Sequence, residues 1–187
     1  MKVAVAGSHS TGKSSLIAAF VARRPEYLHE PEAYEALAAD VDIVSDGPTP
    51  EGLAALLEYT VSDVSKHPRG TCVVFERSPV DYLAYAAASR TMWTSPVVDD
   101  FLATYVPIVG ASVRHLDVIV LVPVTRGGEI TGRSGEDERF RRRVDEELRR
   151  ALVDDDFDLF GSDLPRILEL APEPNRQLAQ LIKITTG

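Results

Sequence analysis

The sequence predicts an α/β domain: a parallel sheet covered by helices on both faces. Three observations lead there. Short apolar runs alternate with helix-period segments from one end of the chain to the other. Two of those runs, Thr71–Glu76 (TCVVFE) and Leu116–Val122 (LDVIVLV), are rich in β-branched residues and almost wholly apolar, as strands are when both faces of a sheet are buried. The length, 187 residues, suits one domain.

The elements follow in order. Lys2–Ala6 (KVAVA) reads as a short buried strand, and Lys13–Arg24 as a helix closed by Pro25. Tyr27–Pro31 (YLHEP) reads as a brief second strand and Glu32–Asp40 as helical. Val41–Pro50 is rich in turn residues and reads as a loop. Thr49-Pro50 is an N-cap followed by proline at the first helical position, and the helix it opens runs to about Lys66 with Leu53, Leu56, Leu57 and Val64 along one side. Pro68–Gly70 is a turn before the strand Thr71–Glu76. Pro79 opens the next helix, Ser95-Pro96 another that should stop near Pro107. Leu116–Val122 is the clearest strand. Thr125–Gly135 is a glycine-rich loop, Glu136–Leu152 a charged helix, Arg166–Leu170 a last strand and Asn175–Ile184 a last helix.

Composition narrows the function. Hydrophobic residues make up 44% and charged residues 26%, an ordinary globular mixture with enough apolar material for a core. A net charge of −9 disfavours nucleic acid as a partner. No apolar run is expected to span a bilayer, and the apolar stretch after Lys2 is too short for a signal peptide. Cys72 stands alone, so no internal disulfide forms, and a cytoplasmic protein is the expectation.

The loop between the first strand and the first helix carries the strongest signal. Gly7, Gly12, Lys13 and Ser14 fit G-x-x-x-x-G-K-[ST], a pattern that arises by chance in about one chain of this length in a hundred. Each part has a physical task. The glycines let the backbone curl so that successive N–H groups face phosphate oxygens, and the helix opening at Lys13 adds its positive end. Lys13 supplies a mobile charge for the outer phosphates, and the Ser14 hydroxyl is a ligand for Mg²⁺. The expected nucleotide contacts are Gly7, Ser8, His9, Ser10, Thr11, Gly12, Lys13, Ser14 and Ser15. His9 is read as a variable position within the loop. The four histidines show no ligand spacing.

Two further stretches concern what is done with the phosphate. Glu30 ends the second strand, where the carboxyl ends of a parallel sheet line the ligand crevice, so it either accepts a proton from a substrate hydroxyl or is a solvated acid before a proline. Glu76 and Arg77 end a nearly all-apolar strand; Glu76 suits Mg²⁺ beside Ser14, and Arg77 suits phosphate or the acceptor.

Together GSHSTGKSS, HEP and FERSPVDYLAY resemble the P-loop kinases of small molecules. They are most similar to the deoxynucleoside kinases, with their glycine loop, EP and ERS motifs, and to nicotinamide riboside kinase domains and related small AAA-type proteins. In the latter a charged pair is followed by Pro, Asp and Tyr, much like Arg77, Pro79, Asp81 and Tyr85. The resemblance implies a P-loop NTPase fold with a five-stranded parallel sheet and an arginine-rich lid over about 125–145. It further implies an acceptor-side segment over about 30–66, ATP as donor, and a hydroxyl of a small metabolite, a nucleoside or similar compound, as acceptor. On it, Glu30 matches the catalytic base and Glu76-Arg77 the metal and phosphate pair. The acceptor-side segment departs from the family in lacking a recognisable aromatic base-stacking pattern.

The glycine-rich loop and the charged helix offer lid arginines, Arg133 and Arg139 foremost, then Arg142 and Arg143. In the kinase class such an arginine neutralises charge on the transferring group. Arg149 and Arg150 fall into i,i+4 pairs with acids and need no ligand. Pro174 and Asn175 follow the last strand where such kinases touch adenine; Asn175 alternatively caps the last helix. Asp154–Asp158 reads as a solvated turn. The competing function is a regulatory P-loop ATPase acting on a protein partner. No N-K-x-D guanine reader is present.

Overall fold

The computed structural model describes residues 1–37, 48–124, 135–161 and 165–186. It contains five strands: β1 (Lys2–Ala6), β2 (Leu28–Glu30), β3 (Val73–Glu76), β4 (Val118–Leu121) and β5 (Arg166–Glu169). They form one sheet in the order β2-β3-β1-β4-β5, and all four pairings are parallel. β1 fills its apolar run, and the other four strands are shorter than theirs by one to three residues. The α-helices are α1 (Lys13–Val21), α2 (Ala33–Leu37), α3 (Pro50–Lys66), α4 (Pro79–Ala88), α5 (Ser95–Val113), α6 (Gly135–Leu152) and α7 (Pro174–Ile184).

Side-chain alternation splits the core in two. Val3 and Val5 of β1 join Val74, Val118 and Val120 beneath α1 and α7, where Leu16, Ile17, Phe20 and Leu181 are buried. Ala4 and Ala6 join Val73, Phe75, Ile119 and Leu121 under α3, α4, α5 and α6. The helix after β1 covers one face and the helix after β3, its neighbour, covers the other. The crevice between the carboxyl ends of β1 and β3 is therefore a topological switch point, where open parallel sheets hold ligands.

Local signals explain most boundaries. Thr49 Oγ1 accepts from Gly52 N–H at 3.1 Å, with Pro50 in the first turn of α3. Leu53, Leu56, Leu57 and Val64 are the buried stripe, as the periodicity predicts. At α4, Ser78 N–H and Oγ–H both donate to Asp81 Oδ2, at 2.9 and 2.7 Å.

Four expectations are corrected. α1 ends at Val21, and turns carry the chain on to Arg24. α5 does not stop near Pro107 but continues to Val113. Pro107 is exposed, so the carbonyl it leaves without a donor faces water, while Val98, Phe101, Val109 and Val113 stay buried on the inner side. Because it continues, α5 is long and apolar enough, by length and composition alone, to cross a membrane, contrary to the expectation of no such run. It packs against α3 and α4. The N-cap of α7 is Glu173, with Pro174 next, so Asn175 lies within the first turn.

Candidate active site

The loop from Gly7 to Gly12 links β1, the central strand, to α1. Its curl needs left-handed backbone at Ser10 (φ 57°) and Gly12 (φ 88°). At Gly7 close approach is the constraint: a Cβ there would lie 2.9 Å from the Val122 carbonyl oxygen and 3.0 Å from Thr11 Oγ1. Lys13 is 4% exposed, and its Nζ donates to the Ser8 carbonyl at 2.8 Å. Burial, reinforced by the Arg77 charge, lowers its pKa from 10.5 to about 8. The loop is thus closed on itself through its lysine.

Around it stand groups from β3 and α4. Ser14 Oγ–H donates to Glu76 Oε1 at 2.7 Å, and His29 Nε2 lies 3.8 Å from Glu76 Oε2. Arg77, 5% exposed and with a φ of 77°, donates through Nη1 to the Gly7 carbonyl at 3.0 Å and through Nε to Glu32. Its Nη1 is 3.5 Å from Asp81 Oδ1, which also accepts from Gly7 N–H at 3.0 Å. The guanidinium stands 5.0 Å from the centre of the Tyr85 ring. Burial disfavours its charge, but Tyr85, Glu32 and Asp81 outweigh that and raise its pKa well above the ordinary value. A left-handed, buried arginine is strain concentrated beside the loop.

The residues present fit a magnesium–nucleotide. Ser14 and Glu76 offer adjacent oxygens of the kind a hard cation prefers. The Gly7 cradle leaves no room for a side chain. Ser8 Oγ is fully buried with no hydrogen-bond partner, a polar atom available to a ligand oxygen.

Of the residues expected from sequence, Gly7–Ser14, Glu76 and Arg77 meet here, with Ser15 exposed on the first turn of α1. Glu30 lies apart. Its Oε1 bonds His67 Nε2 at 2.7 Å and lies 3.2 Å from Lys66 Nζ, which also pairs with Asp63. Glu30, Asp63 and His67 form a tight donor cluster whose positive charge comes from that ammonium. The acid tied to Arg77 is Glu32, two residues on. Neither Glu32 nor His29 stands in a motif of its own; the signal available for Glu32 was an acid just beyond the end of a strand.

Arg139 is exposed on α6, and Arg133 lies outside the described residues. Arg141 and Arg142 both pair with Glu138. Arg143 differs: its Nε is buried without a partner, and its guanidinium lies 5.9 Å from the Phe140 ring, which in turn meets Tyr85 edge-on at 5.9 Å. Pro174 and Asn175 are exposed at the start of α7, which packs on α1.

Known proteins share this fold. A family model described as an AAA domain matches residues 2–160. No curated protein sequence matches the chain. Among solved structures, a deoxyadenosine kinase from M. mycoides with dATP bound superposes with a TM-score of 0.71 at 12% identity, each chain covered over 100%. The same kinase with the products dCMP and a flexible dCDP gives 0.70 at 14% identity, covering 100% of this chain and 99% of that one. The NadR protein in complex with NR gives 0.68 at 19% identity, covering 100% of this chain but 52% of the other. These likenesses are in fold, the five-stranded parallel P-loop architecture.

Proposed function

The chain belongs to the AAA domain family, and from that premise we propose that it is an ATP-dependent phosphotransferase whose acceptor is a hydroxyl of a nucleoside-like metabolite. One observation carries the reading. Arg77 joins the phosphate loop, through the Gly7 carbonyl, to a second acid, Glu32, on the acceptor-side segment. An ATPase uses an acid of this kind to orient water; its place on the acceptor-side segment is what favours a metabolite hydroxyl.

In this reading the nucleotide lies along Gly7–Ser15, with Lys13 leaving the Ser8 carbonyl for the outer phosphates. Ser14 and Glu76 would hold Mg²⁺, which when bound spreads the phosphate charge. The acceptor hydroxyl gives its proton to Glu32, its oxygen bonds to the γ-phosphorus, and the bond from that phosphorus to the β-bridging oxygen breaks, releasing ADP. Arg77 orients Glu32 and steadies the transferring group. Arg143 and Arg139 on α6 are the described arginines suited to meet charge from the other side, and Pro174 and Asn175 flank the nucleotide base. Glu32 rather than Glu30 is favoured as base because its partner Arg77 also holds the phosphate loop, whereas Glu30 is tied to His67 and Lys66.

The test is transfer of labelled γ-phosphate from Mg·ATP to a panel of nucleosides, nicotinamide riboside, nucleoside monophosphates and other hydroxylated metabolites. Wild type should label an acceptor. Glu32→Gln should cut kcat about 10²–10⁴-fold, while Glu30→Gln leaves kcat within about threefold. The reverse pattern returns the base to Glu30. ATP turnover with no labelled acceptor would sink the kinase reading in favour of the regulatory ATPase.

A further inference from the structure

Tyr85 stands where three elements meet. It lies on α4, next to the loop from β1 and under α6. The His9 backbone N–H donates to its hydroxyl at 3.0 Å, and that hydroxyl is 3.4 Å from His9 Nδ1. Arg77 covers the ring at 5.0 Å. The edge contact with Phe140 comes from α6 at 5.9 Å. Burial, against the pull of Arg77, raises the phenol pKa, so the hydroxyl stays neutral and able both to donate and to accept.

The contacts are unequal in kind. A phosphate loop works through its backbone, and its N–H groups have value only if their directions are fixed before the ligand arrives. His9 sits between two residues, Gly7 and Ser10, with backbone angles that ordinary side chains rarely adopt. A peptide there needs an external anchor. Asp81 anchors Gly7 N–H, and Tyr85 anchors His9 N–H. The Asp81 anchor is held by Ser78, at the N-cap of its own helix, and by Arg77 just before it. The Tyr85 anchor is held by a side chain from a different helix, Phe140, whose ring also carries Arg143. α4 and α6 make the most extensive helix–helix packing in the molecule among the described residues. A shift of α6 would therefore reach the loop backbone through one ring.

We propose that Tyr85 is a positioning residue that ties the placement of α6 to the backbone direction of the phosphate loop at His9. It acts on the nucleotide only through that peptide. The inference rests on the phosphate-loop reading of the previous section and adds to it a route by which the arginine-bearing helix and the loop are set together.

The experiment compares amide hydrogen exchange, read by NMR on the nucleotide-free protein, in wild type, Tyr85→Phe, Phe140→Leu and the double variant. Removing only the hydroxyl should speed exchange at His9 about tenfold and leave Phe20 in α1 and Ala88 in α4 unchanged. Phe140→Leu keeps an apolar side chain of similar bulk, and should speed His9 exchange about threefold in the wild-type background and not at all in Tyr85→Phe. In parallel, affinity for a non-hydrolysable ATP analogue should fall about fivefold in Tyr85→Phe, the loss of one hydrogen bond, with the melting temperature lowered by only about 2–4 °C. Unchanged His9 exchange in Tyr85→Phe overturns the anchor. A Phe140→Leu effect that persists without the hydroxyl overturns the coupling, because α6 would then act around Tyr85. Faster exchange throughout α4 means packing alone, and also overturns it. If the analogue binds no form of the protein, the nucleotide reading fails, while the exchange data still decide the coupling.

Discussion

Lys13 shows how a single residue sets opposing demands on stability and binding. Its folded-state pKa of about 8 lies below the ordinary 10.5. The unfolded chain therefore holds the proton over a window in which the native site has released it. Burial of this charge weighs against folding in full below pH 8, and the penalty is relieved as pH rises from about 8 toward 10.5. Lys13→Met should raise the melting temperature of the nucleotide-free protein at pH 7, reflecting up to about 3 kcal/mol, and abolish binding of an ATP analogue. A variant that melts lower would contradict this account. Binding needs the charged lysine, so calorimetric affinity of wild type should weaken above pH 8, by at most about tenfold per pH unit. A flat profile from pH 7 to 9.5 would count against the buried charge. At the same scale, the pattern Gly7–Ser14 was legible because it depends on backbone freedom and local chemistry, both written in adjacent residues. The separate pairing of Glu30 and Glu32 was not. It depends on His67 and Lys66, more than thirty residues away, reaching one acid and on Arg77 reaching the other.

Elements were predicted where one signal dominated and missed where two competed. Thr49-Pro50 opened α3 and the stripe from Leu53 to Val64 ran along its buried side, and both agree with the structure. In α5 the local signal of Pro107 opposed the burial of Val98, Phe101, Val109 and Val113, and burial won. Proline in a helix interior costs about 3 kcal/mol. Because Pro107 is exposed, Pro107→Ala should restore a hydrogen bond without disturbing packing and raise stability by about 1–3 kcal/mol, read from the midpoint of urea unfolding. No gain would mean that the helix is already broken there in solution. Val109→Ala in the same helix should lose about 1–3 kcal/mol. The expected lid segment falls within residues 125–134, outside those described, apart from its α6 portion.

For the molecule as a whole, alternation of strands and helices was enough to anticipate a parallel sheet, since parallel strands require crossovers and helices supply them. Strand order was not legible. That β1 lies between β3 and β4 is decided by which apolar faces fit together, such as the alanine side of β1 under α4. Its central position has a consequence for how the protein comes apart. All five residues of β1 are buried, and its ladders on both flanks must open before it can move. β2 and β5 are edges, with exposed positions and one paired neighbour each. Fraying of either edge is a partial event that leaves the strand beneath the loop intact. In a denaturant titration, exchange at Leu28 and Arg166 should rise first. The capacity to bind nucleotide should vanish only with the last cooperative unit, its midpoint coinciding with that of global unfolding. The loop takes backbone angles that few residues tolerate, and it is moored to the part of the chain that is last to let go.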